Sequence, residues 1–460
     1  MAASPFPAYV STRGSSPEVD FVGALLAGVA PDGGLYVPAR WPDLPGLEAL
    51  PGGAADLANA ILTPFVGEAL EAGVVTRATG RLTKRFLHPE TTPLVELEPG
   101  LFVLELFHGP TAAFKDYAMQ MVAVLAEAAL AARDERLLLV TATSGDTGAA
   151  AVRAFGGMDR IDLVVLHPLG RVSPVQRLQM TTTGAANVLN LAVRGDFDDC
   201  QRLVKGLLAD RGLTGRRVSS VNSINWARLA GQIPYYASAA RSLGSQAARA
   251  TYVVPTGNFG DAFAGWAGRR MGLPMGGLVA ATNRNDALVR ALETGVYERT
   301  HAVPTASVSM DVQAPSNFER LVFEASGRDS ALTRGLFEDF ARHGRMTLPG
   351  ELRAALRREV SAVSVSEAET AQEIARTWAG TGRVICPHTA VALHAARRLD
   401  RSAGPVVALS TAHPAKFPEA VEAALGFAPE RPPQLDGLEG RTEVFETVDP
   451  NLSAVLAAIG

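Results

Sequence analysis

Lysine is scarce in this chain. It supplies four of the 43 basic residues, at Lys84, Lys115, Lys205 and Lys416. Lys115 stands in LELFHGPTAAFKDYAMQ, residues 104–120. A lysine amine can lose its proton and condense with a carbonyl cofactor, whereas a guanidinium stays protonated. In a chain that writes positive charge as arginine, a lysine behind the Gly109–Pro110 turn is a candidate for amine chemistry; the alternative is a solvated lysine at a helix start. Four further turns carry groups suited to anions. In TGNFGD (256–261), Gly257 and Gly260 let successive N–H groups face one concavity at a helix N-terminus, which can hold a phosphate without any basic side chain. In TSGDTG (143–148), the hydroxyls of Thr143, Ser144 and Thr147 and the loop amides could grip a carboxylate. SINWARLAGQ (223–232) sets Asn225 near a helix cap and Arg228 one turn further on, where Arg228, with Asn222, Ser223 and Asn225, could bind a phosphate. STAHPAKF (410–417) offers Thr411 to a ring nitrogen and His413 and Lys416 to an anion. Each turn also reads as ordinary helix capping, for which Ser, Thr, Asp and Asn are favoured. His108 reads as a packed histidine.

These turns need elements to hold them. Apolar runs predict strands at 136–143, 161–168, 187–193, 251–256, 277–283 and 405–411, each followed by a turn and most by a helix. A helix of about 20 residues should follow Lys115. Others are expected after 148, from Pro174, over 198–212, over 262–271 and over 286–295, with one long helix over 224–243. Repeated strand–turn–helix units predict an α/β protein, parallel sheets with helices on both faces. Ligands bind beyond the carboxyl ends of such strands, where the turns 144–148, 257–261 and 410–415 fall. Residues 1–90 read as an N-terminal domain with a capped amphipathic helix, a PDGG turn, a short strand and a second helix at 55–67. A catalytic region is expected over 91–430, its smaller subdomain over about 115–220, with a helical appendage at 327–380 and a C-terminal tail at 431–460.

Composition narrows the function. The 460 residues are 47% hydrophobic and 20% charged, with a formal net charge of −4. That balance fits a soluble globular protein and gives no general attraction to nucleic acid or to an anionic membrane. Cys200 and Cys386 stand far apart, so no disulfide scaffold is expected. The opening MAASPFPAYVSTRG has no leader pattern, and no apolar run is long enough to span a bilayer, so the expected location is the cytoplasm. GxxxxGK, a GxGxxG behind a strand and HExxH are all missing, and no metal site is expected.

Taken together and in order, FHGPTAAFKDYAMQ, TSGDTGAAA, NSINWARLAGQ, TGNFGD and STAHPAKF resemble threonine synthase. YVSTRG and APDGGLYVP are similar to the N-terminal domain of its longer subgroup, so the resemblance spans nearly the whole chain. It implies a fold-type-II pyridoxal 5'-phosphate enzyme with a tryptophan-synthase-β-like fold. The implied reaction takes O-phospho-L-homoserine and water to L-threonine and phosphate. By the same resemblance Lys115 carries the cofactor, while Gly257, Asn258, Phe259, Gly260 and Asp261 cradle its phosphate. Thr411 meets the pyridine nitrogen. Asp146 neighbours the ring hydroxyl, where many relatives in the wider fold carry Asn. For the substrate, Ser144 and Thr147 are assigned to the α-carboxylate, and Asn225, Arg228 and Lys416 to the γ-phosphate. Lys115 must serve several proton transfers, which requires a pKa near working pH. The family implies a monomer or a homodimer. The nearest rival is a related phospho-lyase that releases 2-oxobutyrate, ammonia and phosphate. A serine or threonine dehydratase is a second rival, opposed by HGPTAAFKD and the N-terminal domain, and a non-catalytic relative is a third.

Overall fold

The computed structural model describes residues 7–209 and 216–460. Two mainly parallel sheets organise them. In the larger, the strand order is Ser361–Ser364, Gly277–Thr282, Thr251–Pro255, Val406–Ser410, Leu101–Glu105, Leu94–Glu98. All neighbours there are parallel except the last two, which form a hairpin. The smaller sheet runs Glu446–Val448, Val188–Val193, Ile161–Pro168, Leu137–Ala142, Arg217–Ser220, parallel throughout.

Alternation along the strands explains why both faces are covered. In the larger sheet Val253, Val279 and Ala408 pack on one side with Val391 and Leu393 of the helix Pro387–Arg397. Tyr252, Val254, Leu278 and Leu409 turn to the other side and join the main core. Likewise Leu138 and Val140 meet Leu203 and Leu207, while Leu137 and Leu139 point into the main core. A strand with apolar residues on both faces has no solvent side, so it must be sandwiched between helices. The α/β class with parallel sheets and helices is therefore the observed one. Among the described residues no helix is long and apolar enough to cross a membrane.

The six strands expected from apolar runs all form, and the helix after Lys115 spans Lys115–Arg133. Several expectations need correction. Residues 224–243 do not make one helix but two, Trp226–Ala230 and Ile233–Leu243. Pro234 has no N–H to offer and its ring crowds the carbonyl four residues back, so it starts the second helix instead of continuing the first. Ser361–Ser364 lies inside the stretch read as a helical appendage, yet it pairs with Gly277–Thr282 as the edge of the larger sheet. Glu446–Val448 lies in the stretch read as a tail, yet it is the edge of the smaller one, and the helix Leu452–Ile459 packs behind it. The hairpin Leu94–Glu105 and the strand Arg217–Ser220 escape the sequence reading as well. Arg217–Ser220, Ser361–Ser364 and Glu446–Val448 are short and polar, and pairing with a neighbour makes them strands. The helix expected over 198–212 is seen as Phe197–Ala209; its last expected residues, like the first six examined for a leader, lie outside the described residues.

The N-terminal segment is tied to the site. Asp20 caps the helix Phe21–Ala27 by accepting the Gly23 N–H at 2.6 Å, and Tyr9–Ser11 pairs with Tyr36–Pro38. From the loop that follows, Arg13 grips Glu319 with two bonds of 2.9 Å and Thr12 donates to the same carboxylate at 2.7 Å. Glu319 sits in the helix Phe318–Ala325. Just ahead of it the Asn317 amide donates to the Asn258 carbonyl at 3.1 Å and to the Ser223 carbonyl at 3.2 Å. YVSTRG thus braces the helix that holds the GNFGD turn. Glu319 is 4% exposed, so Arg13→Ala strands a buried carboxylate. We expect a loss of about 3 kcal/mol, read from the urea unfolding midpoint. An unchanged midpoint would show that the pair contributes nothing net.

Candidate active site

Lys115 reaches its place through a seam between two distant stretches. The loop 106–114 lies along 410–413: Leu106 N–H donates to Ser410 O at 2.9 Å, Phe114 N–H to Thr411 O at 2.8 Å and His413 N–H to Ala112 O at 3.0 Å. Lys115, first residue of its helix, therefore starts beside Thr411, which follows the strand Val406–Ser410. Its two flanking residues have defined contacts. The Lys115 ammonium lies 4.6 Å from the centre of the Phe114 ring. Asp116 is buried and folds back on the turn, accepting the Thr111 N–H at 2.7 Å and the Thr111 hydroxyl at 2.8 Å. A Cβ at Gly109 would fall 2.5 Å from the Asp116 Cβ, so the turn requires glycine there. Burial pushes the Asp116 carboxyl up to about 6, although its bonds to Thr111 oppose the rise.

Behind Lys115 lies a carboxylate shared by two lysines. Asp146 Oδ2 is 3.4 Å from Lys115 Nζ and accepts the Ser309 hydroxyl at 3.3 Å. Its Oδ1 is 2.7 Å from Lys416 Nζ and accepts from Gln176 Nε2 at 2.9 Å. Burial alone would raise the Asp146 pKa, but Lys416 and Lys115 outweigh it and hold this carboxyl well below the usual range. Burial moves the Lys115 amine the other way, below the usual lysine range; Asp146 opposes this, and Lys416 and Arg228 add to it.

The same cleft is lined by Ser144, Asp146, Thr147, Arg228, Gly257, Asn258, Phe259, Gly260, Asp261 and Thr411. The GNFGD turn opens the helix Gly260–Arg270. Among the described residues, the backbone N–H groups of Gly257, Asn258, Phe259, Gly260 and Asp261 donate to no protein acceptor. The left-handed residue of this turn is Phe259, with φ 61°, and neither glycine. Gly257 is needed instead for close approach: a Cβ there would lie 2.6 Å from the Ser309 carbonyl. Asp261 turns its side chain away from the turn, to the hydroxyls of Tyr235 at 2.5 Å and Tyr236 at 2.9 Å. Burial pushes its carboxyl up to about 6.

A second set of unengaged donors lies at the start of the helix Asp146–Phe155. Among the described residues the hydroxyls of Ser144 and Thr147, and the N–H groups of Ser144, Asp146 and Thr147, have no protein partner. The Thr411 hydroxyl is likewise without one. Arg228 is buried and gives one nitrogen to the Val221 carbonyl at 2.6 Å, while its Nε has no partner. No carboxylate faces it among the described residues, and burial pushes its pKa down to about 10. Two helix N-termini with free amides, an amine below its usual pKa and an uncompensated guanidinium fit a ligand that brings a phosphate, a carbonyl and further negative charge.

Other expected participants are already engaged. Asn225 does not line the cleft: it accepts the Ala227 N–H at 3.1 Å and donates to Leu25 O at 2.8 Å, so it caps a helix and ties down the N-terminal segment. Lys416 is fully buried away from the cleft, bonded to Asp146 and to Thr111 O at 2.8 Å, so it is not placed to meet a substrate phosphate. Thr143 accepts the N–H groups of Gly145 and Gly148, at 2.8 and 2.9 Å, as a cap. His413 accepts the Ala415 N–H at 3.2 Å, and His108 lies 2.8 Å from Glu105.

Sequence reasoning missed Ser309 and His388. Asp311 holds the first in place by accepting from Thr305 at 2.7 Å, Asn283 at 2.8 Å and Asn285 at 3.1 Å, which folds the segment back over the strand end at Thr282. Ser309 then meets Asp146 by its hydroxyl and His388 Nε2 by its N–H at 3.2 Å. Residues 305–312 carry no strand–turn–helix pattern, so nothing local marked them.

Comparison with known proteins agrees along the chain. Residues 8–79 match the family described as Threonine synthase N terminus, residues 86–335 the Pyridoxal-phosphate dependent enzyme family, and residues 389–459 Threonine synthase, C-terminal. The threonine synthase of Pseudomonas aeruginosa is 42% identical over 459 residues, covering 98% of this chain and 97% of that protein. Human threonine synthase-like 2 is 38% identical over 449 residues, 94% of this chain and 92% of that protein. The crystal structure of a PLP-bound threonine synthase from Brucella melitensis superposes with a TM-score of 0.94, at 47% identity and 98% coverage of both chains.

The geometry also sets a pH dependence. Burial pushes His388 down to about 4 from an ordinary 6.5. An unfolded chain therefore takes up this proton first as pH falls. Stability resting on a neutral His388 is complete above 6.5 and is lost as pH drops towards 4. His388→Gln should make the urea midpoint less dependent on pH across that window than it is in the parent protein. An identical slope in both proteins would contradict a neutral His388.

Proposed function

This chain belongs to the threonine synthase family of pyridoxal-phosphate-dependent lyases, and we propose that its cleft converts O-phospho-L-homoserine and water to L-threonine and phosphate. The observation that carries the proposal is a single cleft in which a lysine of lowered pKa shares space with two sets of unengaged anion donors. One set suits the cofactor phosphate and the other a substrate carboxylate. The cofactor, pyridoxal 5'-phosphate, supplies a carbonyl for the substrate amine and an electron sink for charge developing at Cα and Cβ.

The protein's share is to bind, orient and move protons. Lys115 would hold the cofactor through its amine, and that amine, when free, would take and return protons at Cα and Cβ. The N–H groups of residues 257–261 hold the cofactor phosphate, with Asp261 acting through its backbone. Thr411 would meet the ring nitrogen, and a hydroxyl there would leave that nitrogen largely neutral. Asp146, fixed by its lysines, lies next to the reacting amine. Ser144 and Thr147 take the α-carboxylate. Arg228 takes the γ-phosphate, whose arrival would satisfy its free Nε and neutralise its charge. In the net change the Cγ–O bond breaks, Cβ gives up one proton and Cγ gains one, the hydroxyl of water bonds to Cβ, and water's remaining proton leaves with the phosphate. The division at residues 90 and 430, a monomer or homodimer, and a cytoplasmic setting belong to the same reading.

Incubated with O-phospho-L-homoserine, the loaded protein should release phosphate and threonine in equal amounts. 2-Oxobutyrate with ammonia, or no phosphate, would overturn the proposal. Lys115→Ala should lose the visible absorbance of covalently held cofactor and its borohydride-dependent fixation. Arg228→Ala should raise the KM for phosphohomoserine by about 10- to 100-fold. An unchanged KM removes Arg228 from that role.

A further inference from the structure

We propose that Lys416 is a positioning residue that acts on Lys115 through Asp146. By holding one side of the Asp146 carboxylate, it prevents that carboxylate from closing a full ion pair with the Lys115 amine. The inference rests on the reading of Lys115 as the reactive amine.

The distances carry the argument. Asp146 is 2.7 Å from Lys416 but 3.4 Å from Lys115. The nearer lysine is fully buried and has no route to solvent or to a substrate. A buried ammonium without function is costly and is readily replaced by an apolar side chain. Lys416 is also anchored from a second direction, to Thr111 O at 2.8 Å, and Thr111 belongs to the turn that Asp116 closes ahead of Lys115. Its head group therefore cannot follow the carboxylate if Asp146 swings towards Lys115. Gln176, at 2.9 Å, holds the same oxygen without charge. Lys115 also feels Arg228, His388 and Asp261 from the other elements around the cleft. Arg228 and a protonated His388 would act with Lys416, and Asp261 against it.

Removing Lys416 would leave Asp146 with Lys115 as its one cationic partner, and a lysine held as an ion pair keeps its proton to higher pH. The test measures the pKa of the Lys115 amine in the full-length chain freed of cofactor. The readout is acetylation by acetic anhydride across pH, with Lys115 followed by peptide mass spectrometry. Lys416→Met should raise that pKa by about one unit or more, and Lys416→Arg should leave it near the parent value. In an Asp146→Asn background the same Lys416→Met change should produce a clearly smaller rise, because only the direct repulsion between the two ammonium groups is then removed. Lys416→Gln serves as the neutral variant if the methionine form does not fold. No rise in the neutral variant overturns the proposal, and so does an equal rise in the Asp146→Asn background. The parent reading is judged separately: covalently held cofactor in Lys115→Ala would sink it, whatever the labelling of Lys115 shows about Lys416.

Discussion

A buried carboxylate must be matched by positive charge close by, and Asp146 meets that constraint with two lysines from opposite parts of the chain. Much of the site follows from it. Lys115 leads a helix that begins after a glycine turn, Lys416 follows the strand Val406–Ser410, and Asp146 opens the helix that follows Leu137–Ala142. The three can meet only if the two sheets aim the carboxyl ends of these strands at one cleft. The seam between 106–114 and 410–413 then sets how far apart Lys115 and Lys416 can stand.

Around that charged centre, the scaffold separates rigid parts from reactive ones. The GNFGD turn is held from behind by Asn317, and the helix after Asn317 is gripped by Arg13 and Thr12 from the N-terminal segment. Glycine at 257 lets the Ser309 segment approach the turn closely. Asp261 is drawn off to two tyrosines, which leaves the turn's amides as its contribution to the cleft. A phosphate held only by amides and a helix end adds no mobile cation near the reacting atoms.

Residues that share a type or a motif diverge sharply in role here. Thr143 caps a helix while Thr147, four positions on, keeps a free hydroxyl in the cleft. Asn225 is fully engaged by backbone groups while Arg228, three positions on, has an unpaired nitrogen. Lys115 lines the cleft and Lys416 lies behind it. In each pair the motif places both residues near the site, and only the direction of the side chain decides which meets a ligand. Most buried polar groups find a partner, so the cleft-lining donors left without one mark the ligand's share of the bonding.

The sequence by itself determined the class of fold, the strands with long apolar runs, the lysine and the two glycine- or hydroxyl-bearing turns. Those are local properties: periodicity, helix-start chemistry and the contrast of one lysine against many arginines. Tertiary structure alone decided the rest. Ser361–Ser364 and Glu446–Val448 are strands because a neighbour pairs with them. Ser309 enters the cleft because Asp311 folds its segment back, and there it meets His388 from the helix Pro387–Arg397. Lys416 faces a carboxylate and no substrate because Asp146 reaches it from a stretch some 270 residues earlier. Burial and pairing are long-range properties. They set pKa values and the direction of side chains, and no local pattern encodes them.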